Sequence, residues 1–213
     1  MTVLLSDSQI TSIPAYDNGE RLVDVATLGL GYSGEGDAGR FVRAALGQRL
    51  QRAQDCLPPG LALLVREGYR SAVEQETIIA SYSAALRRDR PDLDPVSLQR
   101  MTSRFVAPLA VAPHVAGAAV DLTVMDETGT PLWMGTPIDA TPEESRNACA
   151  FDATNISAQA RVNRDLLASA LGGQGLVNYP TEWWHWSYGD RYWAYVVGAG
   201  SAIYGPLAEA AAA

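Results

Sequence analysis

The stretch TEWWHWSYGDRYWAY, from Thr181 to Tyr195, is the part of this sequence around which the chain is expected to fold. Glu182 and His185 lie here among tryptophans, and a carboxylate and an imidazole are costly to bury beside indole rings without strong partners. A metal ion is the strongest partner available, and histidine is the commonest metal ligand in proteins. The other histidine, His114, lies in PHVAGAAVDLTV, which also carries Asp121. We therefore expect the two histidines to converge in the fold.

Length and composition predict one domain. The chain has 213 residues, a net charge of −8 and 47% hydrophobic residues, the balance of an ordinary globular protein. We expect a single domain over 1–213, with its core from about 20 to 205. The acidic balance argues against nucleic acid or an anionic membrane surface as a partner. The chain has no lysine, which excludes Schiff-base and lysine-nucleophile mechanisms.

The N-terminus has no basic start and only a short apolar run, which is not typical of a signal peptide. No apolar run approaches the length of a membrane span, so we expect a cytoplasmic protein. Cys56 and Cys149 are far apart in the sequence and lie outside any CxxC pattern, which favours two reduced thiols over a disulfide. The sequence leaves open whether copies of the chain form a homo-oligomer.

Hydrophobic periodicity and turn signals predict a mixture of helices and strands. The predicted helices cover 39–54, 71–88, 94–105 and 157–171, with Ser71 and Asp94 as the N-caps of the second and third. The predicted strands cover 21–30, 61–69, 118–124, 175–179 and 182–188, with a hairpin partner beginning near 131. These elements do not alternate regularly. The sequence therefore predicts an α+β fold with a central antiparallel sheet and flanking helices.

The candidate metal ligands are His114, Asp121 and His185. Two imidazoles and one carboxylate are a donor set typical of catalytic zinc, with a fourth coordination position open. We expect one zinc ion per chain. Glu182 then suits the role of general base better than that of a fourth ligand. A structural zinc site usually uses cysteine, and neither cysteine of this chain lies near a histidine in the sequence.

Each candidate residue also has a simpler interpretation. A histidine such as His114, taken alone, fits a hydrogen-bonded core residue as well as a ligand. Arg70 ends a predicted buried strand and could stabilise an oxyanion, although arginine at such a position is more often a surface or ion-pair residue. Trp184 suits the wall of a cavity. Tyr32 lies in the Gly-rich stretch GYSGEGDAG and would either cover a substrate or face solvent.

Five motifs in one order carry a resemblance to a known family. They are GYR at 68–70, HVAGAAVD at 114–121, MGTPID at 134–139, NRDLL at 163–167 and EWWH at 182–185. Together they resemble the D-alanyl-D-alanine dipeptidases, zinc peptidases of family M15 that share the fold of the Hedgehog signalling domain and DD-carboxypeptidases. The resemblance runs from about 23 to 193. It implies a peptidase that hydrolyses a short dipeptide such as D-alanyl-D-alanine.

The same resemblance implies a role for each site residue. His114, Asp121 and His185 would bind zinc, Glu182 would be the general base and Arg70 would stabilise the transition state. Asp139 would lie near the free ammonium group of the substrate. From the residues alone, Asp139 could equally cap a helix beginning near 142.

One position departs from the family pattern. The family usually has serine two residues before the first histidine, where it helps to hold the substrate, whereas this chain has Ala112. A lost hydrogen bond there costs about 1 kcal/mol or more, which leaves the zinc chemistry untouched but makes the substrate uncertain. Two alternatives therefore stay open. They are the same site acting on another small peptide or amide, as in secondary metabolism, and a zinc-stabilised binding domain without activity.

Overall fold

The computed structural model describes residues 2–207. Its strands are β1 (Leu22–Asp24), β2 (Gly31–Tyr32), β3 (Phe41–Arg43), β4 (Ala62–Glu67), β5 (Ala119–Met125), β6 (Val177–Asn178) and β7 (His185–Ser187). Its α-helices are α1 (Ser8–Thr11), α2 (Ala44–Asp55), α3 (Ala72–Asp89), α4 (Pro95–Thr102), α5 (Ala158–Gly172) and α6 (Arg191–Val197).

Five strands form the central sheet in the order β2-β4-β5-β7-β6. The pairs β4 with β5, β5 with β7, and β7 with β6 are antiparallel. The edge strand β2 pairs with β4 in parallel. β1 and β3 form a separate antiparallel ribbon. The predicted α+β class is confirmed, and the sheet is antiparallel except at this one edge.

The two faces of β5 separate the core from the site. Val120, Leu122 and Val124 are fully buried in the main hydrophobic cluster, together with apolar side chains of α2 and α5. Successive residues of a strand point to opposite faces, so Asp121 and Thr123 lie on the other face. The alternation of side chains along β5 therefore places Asp121 on the face opposite the hydrophobic core.

Helix ends follow the predicted capping signals. The side chain of Ser71 caps α3 and forms a reciprocal capping box with Glu74. Asp94 caps α4 and Ser157 caps α5 through their side-chain oxygens. The predicted caps Ser71 and Asp94 are confirmed, whereas Ser157 was predicted as the first residue of its helix and is its cap. The predicted helix at 94–105 ends earlier, at Thr102.

Three predicted elements need correction. The strand predicted at 21–30 ends at Asp24, because the Asp24 carboxylate accepts a hydrogen bond from the Ala26 N–H and caps a 3-10 turn. The helix predicted from 39 begins at Ala44, since 41–43 pair with β1 instead. The hairpin partner expected near 131 is reduced to one bridge between Met125 and Pro131, and proline lacks the N–H that would extend pairing.

Helix α6 was not predicted. Its N-cap is Asp190, whose carboxylate accepts hydrogen bonds from the N–H groups of Tyr192 and Trp193, each at 3.0 Å. The cap signal lies within an aromatic stretch without helical periodicity, and for this reason it was missed. In the described part of the chain, no helix is both long and apolar enough to cross a membrane. Cys56 and Cys149 are free thiols.

Candidate active site

Three side chains meet at one row across the sheet. In the strand register Glu67 of β4 lies opposite Asp121 of β5, and Asp121 lies opposite His185 of β7. His114 comes from a short 3-10 turn that ends at Gly117, where a φ of +64° turns the chain back into β5. A side chain at Gly117 would adopt this left-handed conformation only with strain. The predicted convergence of the two histidines is confirmed.

The ligand atoms of this cluster are close together. The Oδ1 atom of Asp121 lies 3.0 Å from Nδ1 of His185 and 3.3 Å from Nε2 of His114. The two imidazole nitrogens lie 3.1 Å apart. All three residues are buried, and their ligand atoms lie within 4.8 Å of one another. Such a donor set fits a divalent metal ion held by two neutral imidazoles and one carboxylate.

A backbone carbonyl fixes the tautomer of His114. Its Nδ1 lies 2.6 Å from the carbonyl oxygen of Gly68, which can only accept a hydrogen bond. Nδ1 therefore carries the proton, and the lone pair of Nε2 points into the cluster. Burial lowers the pKa of His114, but the charge and the hydrogen bond of Asp121 together outweigh burial and raise it. Burial raises the pKa of Asp121, but the two histidines outweigh it and hold this pKa below its ordinary value.

Glu182 lies beside the cluster, in the turn that leads into β7. Its Oε2 lies 3.8 Å from Nδ1 of His185. Among the described residues, its buried Oε1 has no hydrogen-bond partner. Burial raises the pKa of Glu182 well above its ordinary value, and the negative charges of Asp121 and Asp139 raise it further. The arrangement leaves an unpaired carboxyl oxygen next to the ligand atoms.

Arg70 is held by two residues that the sequence analysis did not identify. Its Nε donates to Oε1 of Glu67 at 2.7 Å, and its Nη2 bonds to Oε2 of the same carboxylate. Its Nη1 donates to Oε1 of Gln75 at 2.9 Å. Burial lowers the pKa of Arg70, but the hydrogen bonds and charge of Glu67 outweigh it and raise this pKa. Glu67 is three residues before Arg70, and in a continuous strand two such side chains would point to opposite faces. The spacing therefore indicates an ion pair only once the structure shows that β4 ends at Glu67.

A cavity of about 460 Å³ contains all of these groups. Ala112 and Trp184 line it as predicted, and so does Asp139. The described residues that line it include one arginine, Arg70, and five residues with carboxylate side chains. The carboxylates are Glu67, Asp121, Asp139, Glu144 and Glu182. The excess of negative charge suits a cationic ligand.

Tyr32 lies elsewhere. Its hydroxyl donates to the carbonyl oxygen of Gly36 at 2.8 Å, within its own Gly-rich segment. Burial and the charge of nearby Glu67 raise the pKa of Tyr32. The residue is not among those that line the cavity. The structure therefore does not bring Tyr32 together with the other predicted site residues.

Asp139 has a left-handed backbone conformation, with φ 64°. It does not cap the stretch beginning near 142. Thr141 does so, because its Oγ1 accepts a hydrogen bond from the Glu144 N–H at 3.2 Å while the Glu144 carboxylate bonds back to Thr141. Burial raises the pKa of Asp139 to about 6, with further contributions from Asp121 and Glu67. The cap interpretation of Asp139 is wrong.

The segment 134–151, called here the Asp139 loop, contains neither helix nor strand and is held by Arg164. The guanidinium of Arg164 is fully buried and donates to the carbonyl oxygens of Met134, Ala148 and Ala150 at 2.6–2.7 Å. Both ends of the loop therefore meet at one side chain. Arg164 belongs to the NRDLL motif, but nothing in its sequence context shows that its partners are backbone carbonyls.

Comparisons with known proteins identify a family and several relatives. The Peptidase_M15 family, described as D-ala-D-ala dipeptidase, matches residues 41–197. A D-alanyl-D-alanine dipeptidase of Synechocystis sp. is 27% identical over 86% of this chain and 88% of its own length. One of Enterococcus faecium is 29% identical over 62% and 64%. A solved structure of the LdcB LD-carboxypeptidase gives a TM-score of 0.47 at 19% identity, covering 85% of this chain and 73% of that chain.

The family match spans well over half of the chain and includes every residue of the metal-ligand cluster, together with Glu182, Arg70 and Asp139. The chain is a peptidase and belongs to the D-Ala-D-Ala dipeptidase family of M15 peptidases.

Proposed function

We propose that the protein is a zinc-dependent dipeptidase that hydrolyses D-alanyl-D-alanine or a closely related short dipeptide. One observation carries the proposal: buried Glu182 lies beside the ligand atoms of His114, Asp121 and His185, with its Oε2 3.8 Å from Nδ1 of His185 and its Oε1 unpaired among the described residues. A site built only to bind zinc has no need of this carboxylate. The names of the relatives from Synechocystis sp. and Enterococcus faecium support the substrate.

Zinc held by His114, Asp121 and His185 would supply a Lewis acid that polarises the substrate carbonyl and acidifies water. Glu182 accepts the proton of the attacking water at Oε1 and then delivers it to the nitrogen of the leaving amine. Its raised pKa suits both transfers. The Glu182 carboxylate is a stronger base toward water than an ordinary glutamate, and the carboxylic acid that results can still protonate the leaving amine.

Arg70 stabilises the oxyanion that forms when water attacks the peptide carbonyl. Among the described residues, its hydrogen bonds to Glu67 and Gln75 use three of the five guanidinium N–H groups, and two remain for the substrate. Because Glu67 fixes the plane of the guanidinium, these donors are positioned before the reaction begins. At the other end of the substrate, the Asp139 carboxylate binds the free ammonium group.

The test is amino-acid release from a panel of small peptides by the zinc-loaded protein. We expect rapid release from D-Ala-D-Ala, little from L-Ala-L-Ala, and little from N-acetyl-D-Ala-D-Ala, since acetylation removes the charge that Asp139 binds. Metal analysis of the same sample should give one zinc per chain. If one zinc is bound and no dipeptide of the panel is cleaved, the proposed activity is wrong.

A second candidate is the same chemistry on another small peptide or amide. Ala112, which is buried and lines the cavity next to His114, favours this candidate, because its methyl group offers no hydrogen bond to a substrate. Cleavage of mixed dipeptides or amides in preference to D-Ala-D-Ala would support it. The proposed roles of Glu182 and Arg70 would be unchanged.

Asp139 gives a prediction about pH. In the metal-free protein its carboxyl is expected to titrate with a pKa of about 6, against 3.8 in the unfolded chain. The protonated group therefore contributes stability that is fully present below pH 3.8 and is lost as pH rises through 6. A bound dication opposes the charge of Asp121, so adding zinc should lower this pKa.

Carbon NMR of protein labelled at the aspartate carboxyls measures this pKa, and Asp139→Asn assigns the signal. Ammonium binding requires the ionised form. We therefore expect substrate affinity to rise as pH increases through the measured pKa in the wild type, and to lose that dependence in Asp139→Asn. An ordinary aspartate pKa in the metal-free protein, or no response to zinc, would contradict the prediction.

A further inference from the structure

The N-terminal segment contributes a wall to the catalytic cavity. Leu5 lines the cavity together with Tyr179 and Val106, although it lies outside the residues 41–197 that match the family. The side chain is buried, with 2% of its surface exposed. Leu5 is therefore part of the site in space while it is remote from the catalytic motifs in sequence.

Several contacts fix the position of Leu5. Its own N–H donates to the hydroxyl of Tyr179 at 3.4 Å, and the N–H of Ser6 donates to Oγ of Ser103 at 3.1 Å. Asp7 forms an ion pair with Arg100 of α4. The ring of Tyr179 in turn packs edge-on against His185, with ring centroids 6.0 Å apart. One aromatic ring therefore separates Leu5 from a predicted metal ligand.

The cavity has a charged part and an apolar part. Glu182, Arg70 and Asp139 act on the scissile bond and the ammonium group in the proposed function. Leu5, Val106, Ala107 and Ala112 offer only apolar surface. Under the roles of the proposed function, this apolar wall is the surface that remains for the side chain of the substrate residue that follows the scissile bond. A wall built with leucine leaves less room there than a wall built with alanine.

We propose that Leu5 is a specificity-determining residue that restricts the substrate's second residue to a small side chain. The proposal rests on the proposed dipeptidase activity and deepens it. A neighbouring residue provides the control. Leu4 is equally buried and packs in the same hydrophobic cluster, but it does not line the cavity. A purely structural role predicts similar effects at both positions, whereas a specificity role predicts an effect at Leu5 alone.

The experiment compares wild type, Leu5→Ala and Leu4→Ala on D-Ala-D-Ala and D-Ala-D-Leu. The second dipeptide carries on its second residue the side chain that Leu5→Ala removes from the wall. We expect the ratio of kcat/KM for D-Ala-D-Leu to that for D-Ala-D-Ala to rise about tenfold in Leu5→Ala and to change less than about twofold in Leu4→Ala. Thermal unfolding should show similar loss of stability in both variants.

An unchanged ratio in Leu5→Ala, or an equal change in both variants, would overturn the proposal. Equilibrium binding of the same two dipeptides, measured by calorimetry, separates this result from failure of the proposed function. If the wild type binds the dipeptides without cleaving them, the proposed dipeptidase activity is wrong. The ratio of the dissociation constants of the two dipeptides, compared among the three proteins, then tests the role of Leu5. If neither dipeptide binds to any of the three proteins, both proposals are overturned.

Discussion

Replacing Glu182 by glutamine is expected to lower kcat by about 10²- to 10⁴-fold while leaving zinc bound. The amide has the size of the carboxyl group but cannot accept the proton of water. The ligand atoms of His114, Asp121 and His185 are untouched, so metal content should remain one per chain. Amino-acid release from D-Ala-D-Ala and metal analysis, made on the same sample, measure both quantities.

Stability gives this experiment a second readout. In the metal-free protein the raised pKa of Glu182 means that folding disfavours its ionised form, so removing the ionisable group should raise the unfolding temperature of the metal-free protein at neutral pH. The matched control is Glu76→Gln, at an exposed position on α3, which should change neither turnover nor stability appreciably. Full turnover by Glu182→Gln with zinc bound would exclude the proposed base.

Replacing Arg70 by lysine should lower kcat by about 10²- to 10³-fold and change KM much less. Lysine keeps the charge, but its ammonium cannot bond to both Glu67 and Gln75 and still present two donors in a fixed plane to the oxyanion. Separate measurement of kcat and KM on D-Ala-D-Ala, with zinc content as a check, tests this expectation.

Arg66, which lies in β4 four residues before Arg70, controls for the chemical change. Arg66 donates to the carbonyl oxygen of Ser33 and pairs with exposed Glu35, away from the cavity. Arg66→Lys should therefore keep kcat within about twofold of the wild type, since surface ion pairs contribute little. Equal losses in both variants, or a change confined to KM in Arg70→Lys, would contradict the role of Arg70 in the transition state.

The sequence was most informative where chemistry and local geometry coincide. Histidine is rare in this chain, so the short spacings from His114 to Asp121 and from Glu182 to His185 indicated one cluster, and the structure brings these residues together. Capping residues such as Ser71 acted on the next few residues and were predictable for the same reason. The catalytic roles of the cluster stay predictions.

Contacts between distant parts of the chain could not be predicted. Arg164 binds carbonyl oxygens as far as 30 residues before it, and any residue type supplies a carbonyl. The hydrogen bond from Leu5 to Tyr179 spans 174 residues. The pairing of 41–43 with β1 overrode a helical pattern for a similar reason, because strand pairing depends on a partner elsewhere in the chain.

The hydrogen bonds from Arg164 to backbone carbonyls affect how the sequence of the Asp139 loop can vary. Because Arg164 holds Met134 and Ala148 through their backbone carbonyls, the ends of the Asp139 loop are anchored whatever side chains lie between them. The closure entropy of a loop rises only slowly with its length, by about 0.6 kcal/mol for each doubling. Changes between these ends can therefore reshape the part of the cavity that contains Asp139, except at Thr136, whose Oγ1 accepts a hydrogen bond from Nε1 of buried Trp183. A change in the length of this loop should therefore cost little folding free energy, because both of its ends stay bonded to Arg164.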